Sequence, residues 1–153
     1  LKELTLITHV DLGELRGLPL LQSVSLMRSK STDIRAVARL PNLSSLSLST
    51  TQVINFEQIE LATNLTRLHL YSVDVQDIAP LEKLTALRGI VFQDLKIDDL
   101  APLQKLNNLS GLDLGGVEAD LTPIRGIANL RSLRLPDGRW LRGRANILEA
   151  LED

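Results

Sequence analysis

The sequence predicts an α/β solenoid of seven coils, and three observations lead there. An apolar phrase opens at Leu1, Leu21, Leu43, Leu65, Leu87, Leu109 and Leu130, returning every 20 to 22 positions through nearly all of the 153 residues. Within each phrase apolar and polar residues alternate over one short strand, and beyond it apolar residues fall three apart. The offsets also repeat: Leu65, Leu68, Leu70, Val73, Val75, Ile78, Leu81 and Leu84 are matched by Leu87, Ile90, Phe92, Leu95, Ile97, Leu100, Leu103 and Leu106.

Each part of a coil follows from these patterns. Alternation turns Leu68 and Leu70 inward and Arg67, His69 and Tyr71 outward. Every coil returns the chain to the same edge, so the seven strands run parallel in one curved sheet. Asp77 to Leu84, with Pro80 placed early, reads as a single helical or 3-10 turn on the opposite, convex side. The first coil is two residues short between Leu6 and Leu18 and the sixth is one short after Val117, which predicts tighter convex turns there. In the third coil Ile54 to Ile59 replaces the proline turn, with Phe56 in the inward slot held elsewhere by Ile34 and Ile78, and predicts a slightly longer turn.

The regular phrase stops after Leu135, giving repeats over 1–135 and a capping segment over 136–153. Pro136-Asp137-Gly138 reads as a turn before Trp140 and Leu141, and residues 145–153 place Ile147, Leu148 and Leu151 on one helical face as a lid. Leu1 opens inside a strand phrase, and a solenoid needs its terminal layers covered. The expectation is therefore that residue 1 is a boundary inside a larger parent chain, or that the first layer packs on an upstream domain.

Composition narrows the function classes. The apolar content is 44% with one Trp, one Tyr and two Phe, so the core is aliphatic, as stacked and nearly identical layers require. Without cysteine there are no disulfides, thiolate metal sites or thiol nucleophiles. A net charge of −2 gives no footprint for nucleic acid, and no stretch approaches the roughly 20 apolar residues of a membrane span, so neither is an expected partner. Charge is nevertheless uneven: Asp94, Asp98, Asp99, Asp113, Glu118 and Asp120 make the fifth and sixth coils acidic, and Arg125, Arg131, Arg134, Arg139, Arg142 and Arg144 make the C-terminal end basic. A solvated flank explains this more simply than a polarised docking surface.

Catalytic chemistry finds no support in the pattern. His9 and His69 lie three coils apart on different faces, so no metal site is expected. Asp113 and Arg134 share a column on adjacent strands and read as an exposed cross-strand pair worth roughly 0.2–1 kcal/mol. Asp98-Asp99 reads as a turn start, and Leu114-Gly115-Gly116-Val117 lacks the lysine and spacing of a phosphate loop. The expectation is a non-enzymatic chain without cofactors, and with repeats filling its length no separate catalytic domain fits.

The units Leu68-x-Leu70-x-x-Val73-x-Val75-x-Asp77-Ile78-Ala79-Pro80-Leu81 and Phe92-x-x-Leu95-x-Ile97-x-Asp99-Leu100-Ala101-Pro102-Leu103 resemble the 22-residue class of leucine-rich repeats typified by bacterial internalins. The resemblance covers essentially the whole chain and implies a right-handed leucine-rich-repeat solenoid, a horseshoe arc with a concave parallel sheet. Internalin-type repeats usually carry Asn three residues after the last strand leucine; here that slot holds His9, Ser29, Thr51, Val73, Leu95, Val117 and Gly138. Val, Leu and Gly cannot bond loop backbone through a side chain, so other partners or water must satisfy it. With Thr or an aliphatic residue in that slot, as in Leu48-Ser49-Thr50-Thr51-Gln52-Val53, the repeats look more like those appended to bacterial NACHT or related STAND NTPases. That likeness implies a cytoplasmic sensor domain of a signalling or defence protein. An internalin-like surface adhesin and a regulatory subunit clamping an enzyme are the alternatives.

Alternation also defines where a protein partner would touch. The first outward column is Glu3, Ser23, Ser45, Arg67, Gly89, Gly111 and Ser132; the second is Thr5, Ser25, Ser47, His69, Val91, Asp113 and Arg134; the third is Ile7, Met27, Ser49, Tyr71, Gln93, Gly115 and Pro136. Most are small, so Arg67, His69 and Tyr71 form the expected contact ridge, flanked by Met27, Val91, Gln93, Asp113 and Arg134. Seven strands about 4.8 Å apart span about 29 Å, and three columns cover roughly 13 Å, so the flat face offers on the order of 400 Å². A standard interface uses about 800 Å² per partner. The loops at Arg28, Thr50, Ser72, Asp94 and Asp137, or further repeats, are expected to contribute.

Overall fold

The structure, a computed structural model, describes residues 1–7, 15 and 17–152. His9, and most of the shortened stretch between Leu6 and Leu18, lie outside the described residues. The strands are β1 (Glu3–Ile7), β2 (Ser23–Met27), β3 (Ser31–Asp33), β4 (Ser45–Ser49), β5 (Gln52–Ile54), β6 (Arg67–Tyr71), β7 (Gly89–Gln93), β8 (Gly111–Asp113), β9 (Ser132–Arg134) and β10 (Trp140–Arg142). Eight of them form one sheet in the order β1-β2-β4-β6-β7-β8-β9-β10. From β1 to β9 each pairs in parallel with its neighbour, one strand per coil. β10 is the exception: the turn after Leu135 reverses the chain, and β10 runs antiparallel to β9.

Inward residues of successive strands stack into one core: Val24 and Leu26, Leu46 and Leu48, Leu68 and Leu70, Ile90 and Phe92, Leu112 and Leu133 are all buried. Behind them the convex side is a helix, α1 (Ile34–Ala38), followed by 3-10 turns over Phe56–Leu61, Ala79–Lys83, Ala101–Lys105 and Thr122–Gly126. The turn at Phe56 is one residue longer than the others, as expected, but Phe56 is only half-buried where Ile34 and Ile78 are fully buried. In the sixth coil the 3-10 turn keeps its five residues. The missing residue comes instead from the link between Val117 and Asp120, because the apolar rungs of the turn must stay in line with those above.

The turns are held by local backbone hydrogen bonds. Leu81, Leu84 and Leu87 each donate to the carbonyl three residues back, and Leu103, Leu106 and Leu109 repeat the relay. Aspartates open them: Asp33, Asp77, Asp99 and Asp120 accept the N–H two residues on at 2.8–3.0 Å. This places Asp99 as a turn start.

The loops that follow the strands solve the problem posed by the missing Asn. Arg28, Thr50, Ser72, Asp94 and Gly116 all take positive φ, between 46° and 68°. Each aims its N–H at the next coil, onto the carbonyls of Ser49, Tyr71, Gln93, Gly115 and Pro136 at 2.9–3.1 Å. Beyond them β3 and β5 pair in a second, two-stranded sheet, the hydroxyls of Thr32 and Thr51 meet at 3.0 Å in the core, and the backbones of Lys96 and Glu118 pair in a single parallel β-bridge. The asparagine ladder exists, but on the other side of the coil. Asn42, Asn64, Asn108 and Asn129 donate their amides to the carbonyls of Pro19, Pro41, Thr85 and Asn107 at 2.7–2.9 Å. Ala86 holds the equivalent place in the intervening coil.

The C-terminal segment covers the last coil. Helix α2 (Arg144–Ala150) buries Ile147 completely, half-buries Leu148 and Leu151, and leaves Glu149 and Glu152 exposed. Arg144 fastens it by donating to the carbonyls of Ile127 and Arg125.

Candidate interaction surface

The parallel register turns the outward columns into physical rows. Ser23, Ser45, Arg67, Gly89, Gly111 and Ser132 are consecutive partners across the sheet, as are Ser25, Ser47, His69, Val91, Asp113 and Arg134. Ile7, Met27, Ser49, Tyr71 and Gln93 make the third row. Gly115 and Pro136 fall beyond the three-residue strands β8 and β9. β10 extends the first two rows, since Arg142 pairs with Ser132 and Trp140 with Arg134, and the half-buried Leu141 between them turns the other way.

Arg67, His69 and Tyr71 are exposed in line on β6, so the structure brings the expected ridge together. Met27, Val91 and Gln93 are half-buried on the same face, Met27 two strands from the ridge. Partial burial of the imidazole, and then the Arg67 guanidinium, push His69 below the usual histidine value against a smaller pull from Asp113.

Asp113 corrects the expectation of an exposed pair. It is 8% exposed, and its carboxylate accepts the Gly115 N–H at 2.9 Å, the Gln93 amide at 3.3 Å and Arg134 Nη1 at 3.5 Å. Neighbours on both flanking strands close over it, so it braces the sheet and offers little to a partner. Arg134 is half-buried, and its guanidinium carbon sits 6.0 Å from the centre of the Trp140 ring. That pose leaves Arg134 Nε buried without a hydrogen-bond partner.

Beside the ridge lies a feature that reading the columns one residue at a time missed. Arg67 and His69 form one wall and Trp140, 55% exposed, forms the other, of a groove of about 200 Å³ floored by Gly89, Val91, Gly111, Asp113 and Ser132. Two adjacent glycines in one column were the available signal; the opposite wall was not, because only the reversal of β10 carries Trp140 back onto this face. Among the described residues no group of His, Asp and Glu is arranged to hold a metal ion, and no helix is long and apolar enough to cross a membrane.

A parallel sheet with one strand per coil, backed by 3-10 turns and an aliphatic core, makes this chain a leucine-rich-repeat solenoid. Solved structures agree. An internalin from Listeria monocytogenes superposes with a TM-score of 0.71 at 27% identity over 84% of this chain and 39% of its own. Internalin C2 from the same species does so at 0.68 and 30% identity over 78% of this chain and 54% of its own. A leucine-rich-repeat protein of Leptospira interrogans shares the fold at 0.59 and 20% identity, over 74% of this chain and 31% of its own. The chain thus spans about two fifths and about half of the two internalins. No protein-family model matches the sequence, and no curated protein matches it.

Proposed function

We propose that this chain is a non-catalytic recognition module that holds a protein partner against its concave sheet, with Arg67, His69 and Tyr71 as the contact ridge. The observation that carries the reading is the groove beside that ridge: exposed Arg, His and Trp side chains stand around a floor that includes Gly89, Gly111 and Ser132, next to the serine-rich strands β2 and β4. Tyr, Trp and Arg are the side chains most enriched where binding energy concentrates. Replacing Arg67, His69 and Tyr71 together by Ala is expected to leave the circular dichroism spectrum unchanged and to weaken partner capture. A photo-crosslinking residue in place of Tyr71 should yield a discrete protein adduct in the native cell, and one in place of Lys83 on the convex side should not. Adducts from position 83 alone would discard the reading.

Two settings for the module are distinguished by its parent chain. Thr51, Val73, Leu95 and Val117 in the slot after the strand support a cytoplasmic sensor domain of a STAND-type signalling or defence protein. The likeness to two internalins supports a surface adhesin. A nucleotide-binding domain in the parent is the outcome expected of the sensor; a secretion signal and a wall anchor would replace it with the adhesin.

A further inference from the structure

We propose that the groove takes an extended acidic peptide, two of whose carboxylates are held by Arg67 and Arg142 while the backbone between them lies over Gly89, Gly111 and Ser132. The proposal deepens the reading of the concave face as the recognition surface and rests on it.

Charge is the first argument. Arg67 and Arg142 are both exposed on this face, in one row with Gly89, Gly111 and Ser132 between them, and among the described residues neither belongs to an ion pair. The neighbouring arginine on this face, Arg134, is already matched by Asp113, and Asp113 is itself occupied by three donors. Two unmatched guanidinium groups therefore face solvent in a chain whose net charge is −2. A carboxylate partner would gain charge-assisted, bidentate hydrogen bonds from each.

The floor is the second argument. Glycine inside a strand costs stability and here has no packing reason: a Cβ added at Gly89 would meet only Arg67 Cγ, at 4.0 Å, and one at Gly111 would meet nothing within 4 Å. Their absent side chains admit another backbone to close approach. Arg67 and Arg142 stand four strand spacings apart, about 19 Å. Acidic residues at i and i+4 of an extended peptide lie about 13 Å apart on one face, and two long side chains at each end close the remainder. The pattern disfavours a nucleic-acid strand, whose phosphates recur roughly every 3.4 Å along the helix axis, because Gly89, Gly111 and Ser132 offer no cation to those in between.

Trp140 is the only tryptophan and forms a wall of the groove, so its fluorescence reports occupancy directly. The probe is the synthetic peptide Gly-Glu-Val-Thr-Val-Glu-Gly, with its counterpart carrying Gln for both Glu. The acidic peptide is expected to shift the emission saturably. Arg67→Gln, Arg142→Gln or the glutamine peptide should each weaken binding by about tenfold, and added salt should weaken it further. Gly111→Val, which fills the floor, should abolish the shift while preserving the circular dichroism spectrum. Equal binding of the two peptides, with Gly111→Val blocking both, would overturn the acidic selectivity and leave the recognition surface standing. No saturable shift at millimolar acidic peptide, or displacement by a short oligothymidine at lower concentration than by free peptide, would overturn the acidic-peptide assignment. The recognition reading fails separately, by crosslinks arising only from the convex side.

Discussion

The two halves of the concave face share one backbone and differ in what they carry. Across β2 and β4 the outward residues are Ser23, Ser25, Met27, Ser45, Ser47 and Ser49, all half-buried, and the surface is level. From β6 to β10 the same rows hold Arg67, His69, Tyr71, Gly89, Gly111, Asp113 and Trp140, which raise walls and lower a floor. Since the strands stay parallel and in register through β9, the relief up to there comes from side chains, and the reversal of β10 adds the Trp140 wall. The inward leucines hold the strands; the outward rows are free to vary, and only one half has been shaped.

The sharpest test sets equivalent positions of one row against each other. Asp113→Ala removes a buried acceptor and strands Arg134, and should cost about 2 kcal/mol in urea unfolding, whereas Ser47→Ala should stay within about 0.5 kcal/mol. A swap between the loops comes next. Gly116→Thr puts a β-branched residue at φ +68°, where its Cβ would also meet Asp94, and should cost about 1–2 kcal/mol. The reverse change, Thr50→Gly at φ 52°, should recover a fraction of that. Smaller still, Ala86→Asn restores the absent ladder rung between the coils of β6 and β7 and should add about 0.5–1 kcal/mol, read as a raised melting temperature. The least effect is expected at His69. Its titration midpoint, followed by NMR, should lie below 6.5 and move up in Arg67→Gln, because burial and then Arg67 disfavour the imidazolium. With the folded value below the unfolded one, His69 weakens the fold as pH falls below about 6.5, and no such loss should come from Ser47.

What the sequence made legible was whatever depends on period. The leucine spacing specified the parallel strands, the outward rows and the convex turns, because a one-residue slip would expose a whole row of core side chains. Asp113 was misjudged since burial there depends on Gln93 and Gly115, which are contributed by a neighbouring strand and a loop. The asparagine ladder is not legible in the slot after each strand, because Asn42, Asn64, Asn108 and Asn129 stand before the strands. β3 and β5 are three residues each, too short for alternation to register. Trp140 could not be placed by period, as the repeat ends before it.

That last strand gives the groove a property no interior coil has. Because β10 folds back instead of opening a new turn of the solenoid, it acts as a movable jaw: a coil gained or lost between Gly89 and Ser132 would carry Trp140 and Arg142 away from or toward Arg67 in steps of about 4.8 Å. Repeat number thereby becomes a gauge for the length of segment gripped, adjustable by duplication without redesign of either jaw.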